Sequence, residues 1–252
     1  GRELVISDRI SHVLDEYCLS AIGRSVAMVY LRKLREEDMS RARIWWMRKL
    51  NGTETRPPSG TPEYQIGSSA VLEGLRAQPI WPATEEWISS LDFDTIREEV
   101  LSLRGSGKNG FQPYRSPNGD STDAGSWNVF YLDLHNVDFS ENRERCPQTC
   151  ALLDAVPRKS GHSYFSAAAP RTHITRHNGP TNKKLRLHLP LVCPENKCRL
   201  RVADQTVVLR EGVPVLFDDS FRHEAWNDSD DQPRIVLVFD IWHPDLSDRE
   251  IK

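Results

Sequence analysis

Nowhere in its 252 residues does the chain carry an apolar run approaching the ~20 residues that cross a bilayer as a helix. No membrane segment is therefore expected within it. No secretory leader is visible, and a sequence opening at Gly1 leaves an upstream leader or anchor open. Internal repeats and low-complexity tracts are absent too, which argues against a solenoid or a disordered array. Cysteine is sparse, at Cys18, Cys146, Cys150, Cys193 and Cys198, and no pair has the tight C-x-x-C spacing with histidine partners that a zinc site wants. One or two disulfides, or free thiols, remain open.

What is present is an ordinary globular composition, 38% hydrophobic and 27% charged. The net charge of −3 gives no global nucleic-acid signal. Charge is uneven, however: residues 170–222 hold ten Lys/Arg against five Asp/Glu. That is either a solvated basic face or a pocket for anions. Two sequons, at Asn51 and Asn227, lean towards a secretory route, with the cytoplasm as the alternative.

The chain changes character near residue 110. Before it, apolar spacings of three and four predict helices over residues 10–17, 26–47 and 84–103, with a polar Pro/Gly loop at 51–62. Residues 105–126 are Gly/Ser/Asn/Pro-rich and predict a long loop. Strands are then expected at 127–134, 163–168, 185–192, 198–202, 206–209, 213–217, 223–226 and 234–242, with a short helix at 150–156. Such spacing predicts a mainly β fold, a double-stranded β-helix of the jelly-roll or cupin-like kind. An N-terminal helical region, 1–69, precedes a β domain, 70–252.

Two histidines stand out. His177 ends an extended segment just before an Asn-Gly turn, and His223 opens a strand after the acidic turn Asp218-Asp219. Arg234 follows 11 residues beyond the second. Neutral imidazoles bind Fe(II) well while leaving positions for O₂ and a bidentate 2-oxoacid. The far carboxylate of 2-oxoglutarate suits a guanidinium better than an ammonium. The usual facial triad has His-x-Asp/Glu, whereas here Gly179 occupies the third position. Arg186 and His188 alternate with Leu185, Leu187 and Leu189, so both polar groups share one strand face. His12, His135 and His162 read as structural or surface residues.

Several longer stretches, taken together, resemble the aspartyl/asparaginyl β-hydroxylase family. They are His177-Asn-Gly-Pro-Thr-Asn182, Leu185-Arg-Leu-His-Leu189, Phe217-Asp-Asp-Ser-Phe-Arg-His-Glu-Ala-Trp226 and Phe239-Asp-Ile-Trp-His-Pro244. Gly74-Leu-Arg-Ala-Gln-Pro79 and Cys146-Pro-Gln-Thr-Cys-Ala-Leu-Leu153 add to it, so the resemblance covers about residues 70 to 248. It implies an oxygenase core with Fe(II) held by His177 and His223 and no protein carboxylate. It implies that Ser166, Arg186, His188 and Arg234 hold 2-oxoglutarate, with Trp127 lining the same pocket. It further places Lys184 near the substrate carboxylate, and Asp219 where it would orient an imidazole or a water beside the iron. The expected reaction is hydroxylation of the β-carbon of an aspartyl or asparaginyl residue in a peptide or protein, with O₂ as co-substrate.

Departures from the family pattern matter. Members can carry a disulfide reaching the position of Cys150, but its partner position here is Arg143; a Cys146–Cys150 bond needs a non-helical backbone. The first 65 residues show no helical repeat, which puts disulfide-rich protein substrates in doubt. Small-molecule or lipid substrates, halogenation at an iron left open by Gly179, and a non-catalytic binding module are the alternatives. Kinship with enzymes of the endoplasmic reticulum leans towards that lumen.

Overall fold

A computed structural model describes residues 25, 29, 32, 39–44, 71–105, 110–115, 121–135 and 137–251. Of the N-terminal helices, the described residues 25, 29, 32 and 40–44 are helical; the 10–17 helix, the 51–62 loop, the boundary at 69/70, Cys18 and the Asn51 sequon lie outside the described residues.

Two antiparallel sheets form the core. The larger runs β1 (Ile80–Trp81), β11 (Val215–Phe217), β8 (Lys184–Val192), β13 (Arg234–Trp242), β6 (Lys159–Ala168), β4 (Trp127–Leu134) and β2 (Gln112–Pro113), with β5 (Val137–Asp138) paired to β4. The smaller runs β10 (Gln205–Val208), β9 (Cys198–Val202), β12 (His223–Asn227), β7 (Thr172–His177) and β3 (Thr122–Ala124). Neighbours in space are distant in sequence, as in a double-stranded β-helix, and the expected fold class is what is seen.

Alternation on the central strands decides the two faces. Leu185, Leu187, Leu189 and Leu191 of β8 join Ile235, Leu237 and Phe239 of β13 in one cluster with Phe130, Leu132 and Phe165. Ile96, Val100 and Leu103 of α2 (Phe93–Gly105), with Cys150 and Leu153 of α4 (Pro147–Asp154), cover that cluster. The opposite face is therefore free to carry polar groups into the space between the sheets. Arg186 and His188 are buried there, so the strand has no solvent side.

Three local expectations change. The helix foreseen over 84–103 is two pieces, α1 (Glu86–Ser89) and α2. Asp92 causes the break: its carboxylate accepts from the Thr95 amide at 3.1 Å and the Thr95 hydroxyl at 2.7 Å, capping α2. Strands β2 and β3 interrupt the loop foreseen over 105–126. Helix α4 begins earlier than 150, because Pro147 suits a first turn and Glu99 of α2 accepts the Gln148 and Thr149 amides at 2.9 and 2.8 Å. A short helix α3 (Ser140–Glu144) was not foreseen.

Cys146, Cys150, Cys193 and Cys198 are free and buried. Helical backbone at 147–154 removes the condition for a Cys146–Cys150 bond. The Cys150 thiol instead faces the carbonyl of Arg143, the residue at the position where family members place the partner. Asn227 is 0% exposed and donates to the carbonyls of Ala169 and Gln232, both at 2.9 Å. That sequon is thus a structural element of the folded protein, not an acceptor site on its surface.

Candidate active site

His177 ends β7 and His223 opens β12, and the two residues are register partners across that strand pair. Their rings lie 4.2 Å apart, centroid to centroid. Each is aimed by its own backbone: Nδ1 of His177 meets the Thr175 carbonyl at 2.8 Å, and Nδ1 of His223 meets the Phe221 carbonyl at 2.9 Å. A carbonyl can only accept, so each Nδ1 carries the proton and each Nε2 presents its lone pair. Burial holds both imidazoles below their ordinary pKa, His223 well below with the neighbouring His177 adding to it, so both are neutral near pH 7. Among the described residues, no third His, Cys, Asp or Glu joins them in a metal-binding group.

Gly179 explains part of the layout. Its amide donates to the Asp219 carbonyl at 2.6 Å, and Asn178 Nδ2 donates to the Ser220 carbonyl at 2.8 Å, clamping the two histidine-bearing turns together. An ideal Cβ at 179 would collide with the Asp219 carboxylate. The space a triad carboxylate would enter is thus taken by Asp219 from the other turn.

Behind the histidines lies a line of polar groups on the interior of the larger sheet. Arg234 is 1% exposed, yet its Nε and Nη1 have no hydrogen-bond partner, and Nη2 reaches only the Ser166 hydroxyl at 3.5 Å. That hydroxyl accepts from Trp127 Nε1 at 2.9 Å. His188 has an unpartnered Nδ1 and packs edge-on against Phe217. Burial, helped by the charges of Arg234 and Arg186, holds His188 well below its usual pKa. Leaving such donors unmade costs about 1–3 kcal/mol each, so the arrangement is built to receive something.

Arg186, expected to hold 2-oxoglutarate, and Lys184, expected near the substrate carboxylate, are both paired with buried carboxylates of the chain itself. Arg186 donates through Nε to Asp240 Oδ1 at 2.8 Å and through Nη2 to Oδ2 at 3.1 Å, while its Nη1 lies 2.9 Å from Asp219 Oδ2. Lys184 Nζ donates to Asp240 Oδ2 at 2.9 Å. His162 Nδ1 contacts the same oxygen at 3.1 Å, and its ring lies beside Tyr164. Burial would raise Asp240, but Arg186, His162 and Lys184 together hold it well below the carboxylate range. Asp219 shares Arg186 without the other partners, and burial pushes its carboxyl up. Asp240 was not singled out from the sequence, and His162 was read there as structural or surface. The signal for Asp240 was its even spacing from Arg234 along β13, which places both on the interior face; His162 carried none.

The expected residues His177, His223, Ser166, Trp127, His188, Arg234, Arg186, Lys184 and Asp219 therefore converge between the sheets. Fold and site together define the class: a double-stranded β-helix with a half-buried and a buried imidazole paired at the ends of β7 and β12. A family model described as aspartyl/asparaginyl β-hydroxylase matches residues 90–244. The chain belongs to that family. Human aspartyl/asparaginyl β-hydroxylase is 34% identical over 189 residues, 71% of this chain and 24% of that protein. The ornithine lipid ester-linked acyl 2-hydroxylase of Rhizobium tropici is 34% identical over 168 residues, 64% of this chain and 59% of that protein. The chain thus spans about a quarter of the human relative's length. Among solved structures, a Pseudomonas putida prolyl-4-hydroxylase aligns over 61% of this chain and 88% of its own, at 16% identity and a TM-score of 0.38, too low to bear on the argument.

Proposed function

We propose that the chain is an Fe(II)- and 2-oxoglutarate-dependent hydroxylase of a peptide or protein, acting at the β-carbon of an aspartyl or asparaginyl residue. The observation that carries this is Arg234, a fully buried guanidinium with two donors left without partners. A buried cation of this kind is expected to be matched by an anion, and a planar fork matches a carboxylate.

The residues present fit both groups. Nε2 of His177 and of His223 would hold the metal, and Arg234, Ser166 and His188 would hold the 2-oxoacid. When bound, iron and 2-oxoglutarate supply O₂ activation: one oxygen atom enters the substrate C–H bond as C–OH, the other enters succinate, and CO₂ leaves. The protein's own part is positional. Backbone carbonyls lock both imidazoles, so neutral donors would be presented to a metal already oriented. Trp127 fixes the Ser166 hydroxyl beside Arg234. Asp219 holds a carboxylate in the space beside Gly179, where it would orient a water or an imidazole beside a bound metal. Val129, Tyr164, Val236 and Val238 pack into an apolar wall that excludes water from this side.

Likeness to a relative named for a lipid acyl 2-hydroxylase supports a second reading, the same chemistry on an acyl chain. Calorimetry under anaerobic conditions tests the cofactor assignment. One Fe(II) should bind wild type, and 2-oxoglutarate should bind only with it. Equal 2-oxoglutarate binding by Arg234→Met would overturn the assignment.

A further inference from the structure

Lys184 and His162 meet the same atom, Asp240 Oδ2, at 2.9 and 3.1 Å. Their remaining valences are different in kind. His162 Nδ1 lies 3.1 Å from Asp240 Oδ2 and 3.3 Å from Arg186 Nη2, which itself donates to the same Oδ2 at 3.1 Å. An unprotonated Nδ1 would set its lone pair against the carboxylate oxygen at the shorter distance, so Nδ1 carries the proton and donates to Asp240, and Nε2 becomes an acceptor. The His162 side chain is 20% exposed. Lys184 has two further N–H donors and a side chain 16% exposed. The mouth therefore offers a donor and an acceptor side by side.

The charges in this corner also balance. Lys184 and Arg186 are the cations, and Asp240 and Asp219 are the carboxylates that face them. A second carboxylate arriving beside Asp240 would meet cations already matched and would set its own charge against a buried one. A neutral carboxamide brings no charge: its oxygen accepts from Lys184 and its NH₂ donates to His162 Nε2.

Resting on the hydroxylase reading above, we infer that His162 and Lys184, organised by Asp240, select a side-chain carboxamide over a carboxylate, so that the preferred substrate residue is asparaginyl. Asp240 is then a positioning residue: it sets the His162 tautomer and takes up the cationic charge.

The test uses the chain loaded with Fe(II) and 2-oxoglutarate and two peptides, identical except for a central Asn or Asp. One good hydrogen bond and one mismatched charge predict a kcat/KM at least about tenfold higher for the Asn peptide. His162→Leu should bring the two peptides to within about threefold of each other, and His162→Gln, which keeps a side-chain acceptor, should restore the preference. A merely structural His162 would lower both rates and leave their ratio unmoved. Equal rates in wild type, a preference for Asp, or hydroxylation of neither peptide would overturn the inference. Loss of Fe(II)-dependent 2-oxoglutarate binding would instead strike the hydroxylase reading itself.

Discussion

Removing the charge of Arg234 should make the protein more stable and abolish 2-oxoglutarate binding. The guanidinium is fully buried, and burial lowers its pKa, the mark of a desolvated cation. Its one hydrogen bond, to Ser166, is long at 3.5 Å, and two donors have none. Arg234→Met keeps most of the volume and removes the unmade donors, each worth about 1–3 kcal/mol. Against this stand a lost weak bond and an imperfect fit of about 1 kcal/mol. The balance is a gain of about 1–3 kcal/mol for the ligand-free chain, and at about 2–4 °C per kcal/mol for a domain of this size Tm should rise by several degrees. Differential scanning calorimetry with and without 2-oxoglutarate and Fe(II) reads both effects. Wild type should gain stability on adding the pair, by mass action; the variant should start higher and gain nothing from 2-oxoglutarate. A ligand-free variant that melts below wild type, yet still shifts with 2-oxoglutarate, would refute the reasoning.

Other consequences can be checked alongside. Leu237→Ala, at a fully buried position between β8 and β6, should cost about 2–5 kcal/mol in urea unfolding. Gly179→Ala should drive the Asp219 carboxylate from its place and weaken Fe(II) binding without unfolding the sheets, which metal titration and far-ultraviolet circular dichroism would separate. At Asp133 burial raises the carboxyl, but hydrogen bonds from Lys159 and Ser163 and the Lys159 charge pull harder, leaving it below its ordinary value. Its contribution to stability is therefore complete above the unfolded value of about 3.9 and fades as pH falls through the lower folded value. The stability gap between wild type and Asp133→Asn should accordingly be constant from pH 7 to about 5 and close below pH 4.

The strands that could be read in advance are those whose composition has one cause. Residues 234–242 and 198–202 were bounded correctly, the first because β-branched and apolar residues run along it and the second because apolar and polar residues alternate between clear turns. The α1–α2 break was not, because Asp92 acts through a cap that apolar periodicity does not register. The paired histidines and Arg234 were legible because their spacing and their neighbours point to one chemistry. Asp240 was not, since its role exists only where β13 and β8 align Asp240 with Arg186. The pairing of Lys184 was not legible for the same reason: its partner Asp240 lies across strands, far apart in sequence. Gly179 was legible as a missing carboxylate, but not as the opening through which Asp219 enters.

The measurement that bears most directly on the function is conversion of 2-oxoglutarate to succinate with Fe(II) and ascorbate, for wild type beside His177→Ala, with the peptide product weighed by mass spectrometry. Wild type should form succinate and add one oxygen atom to the peptide, and the variant should do neither. Succinate formation by the His177→Ala protein at the wild-type rate, or none by a wild type shown to have bound both iron and 2-oxoglutarate, would contradict it.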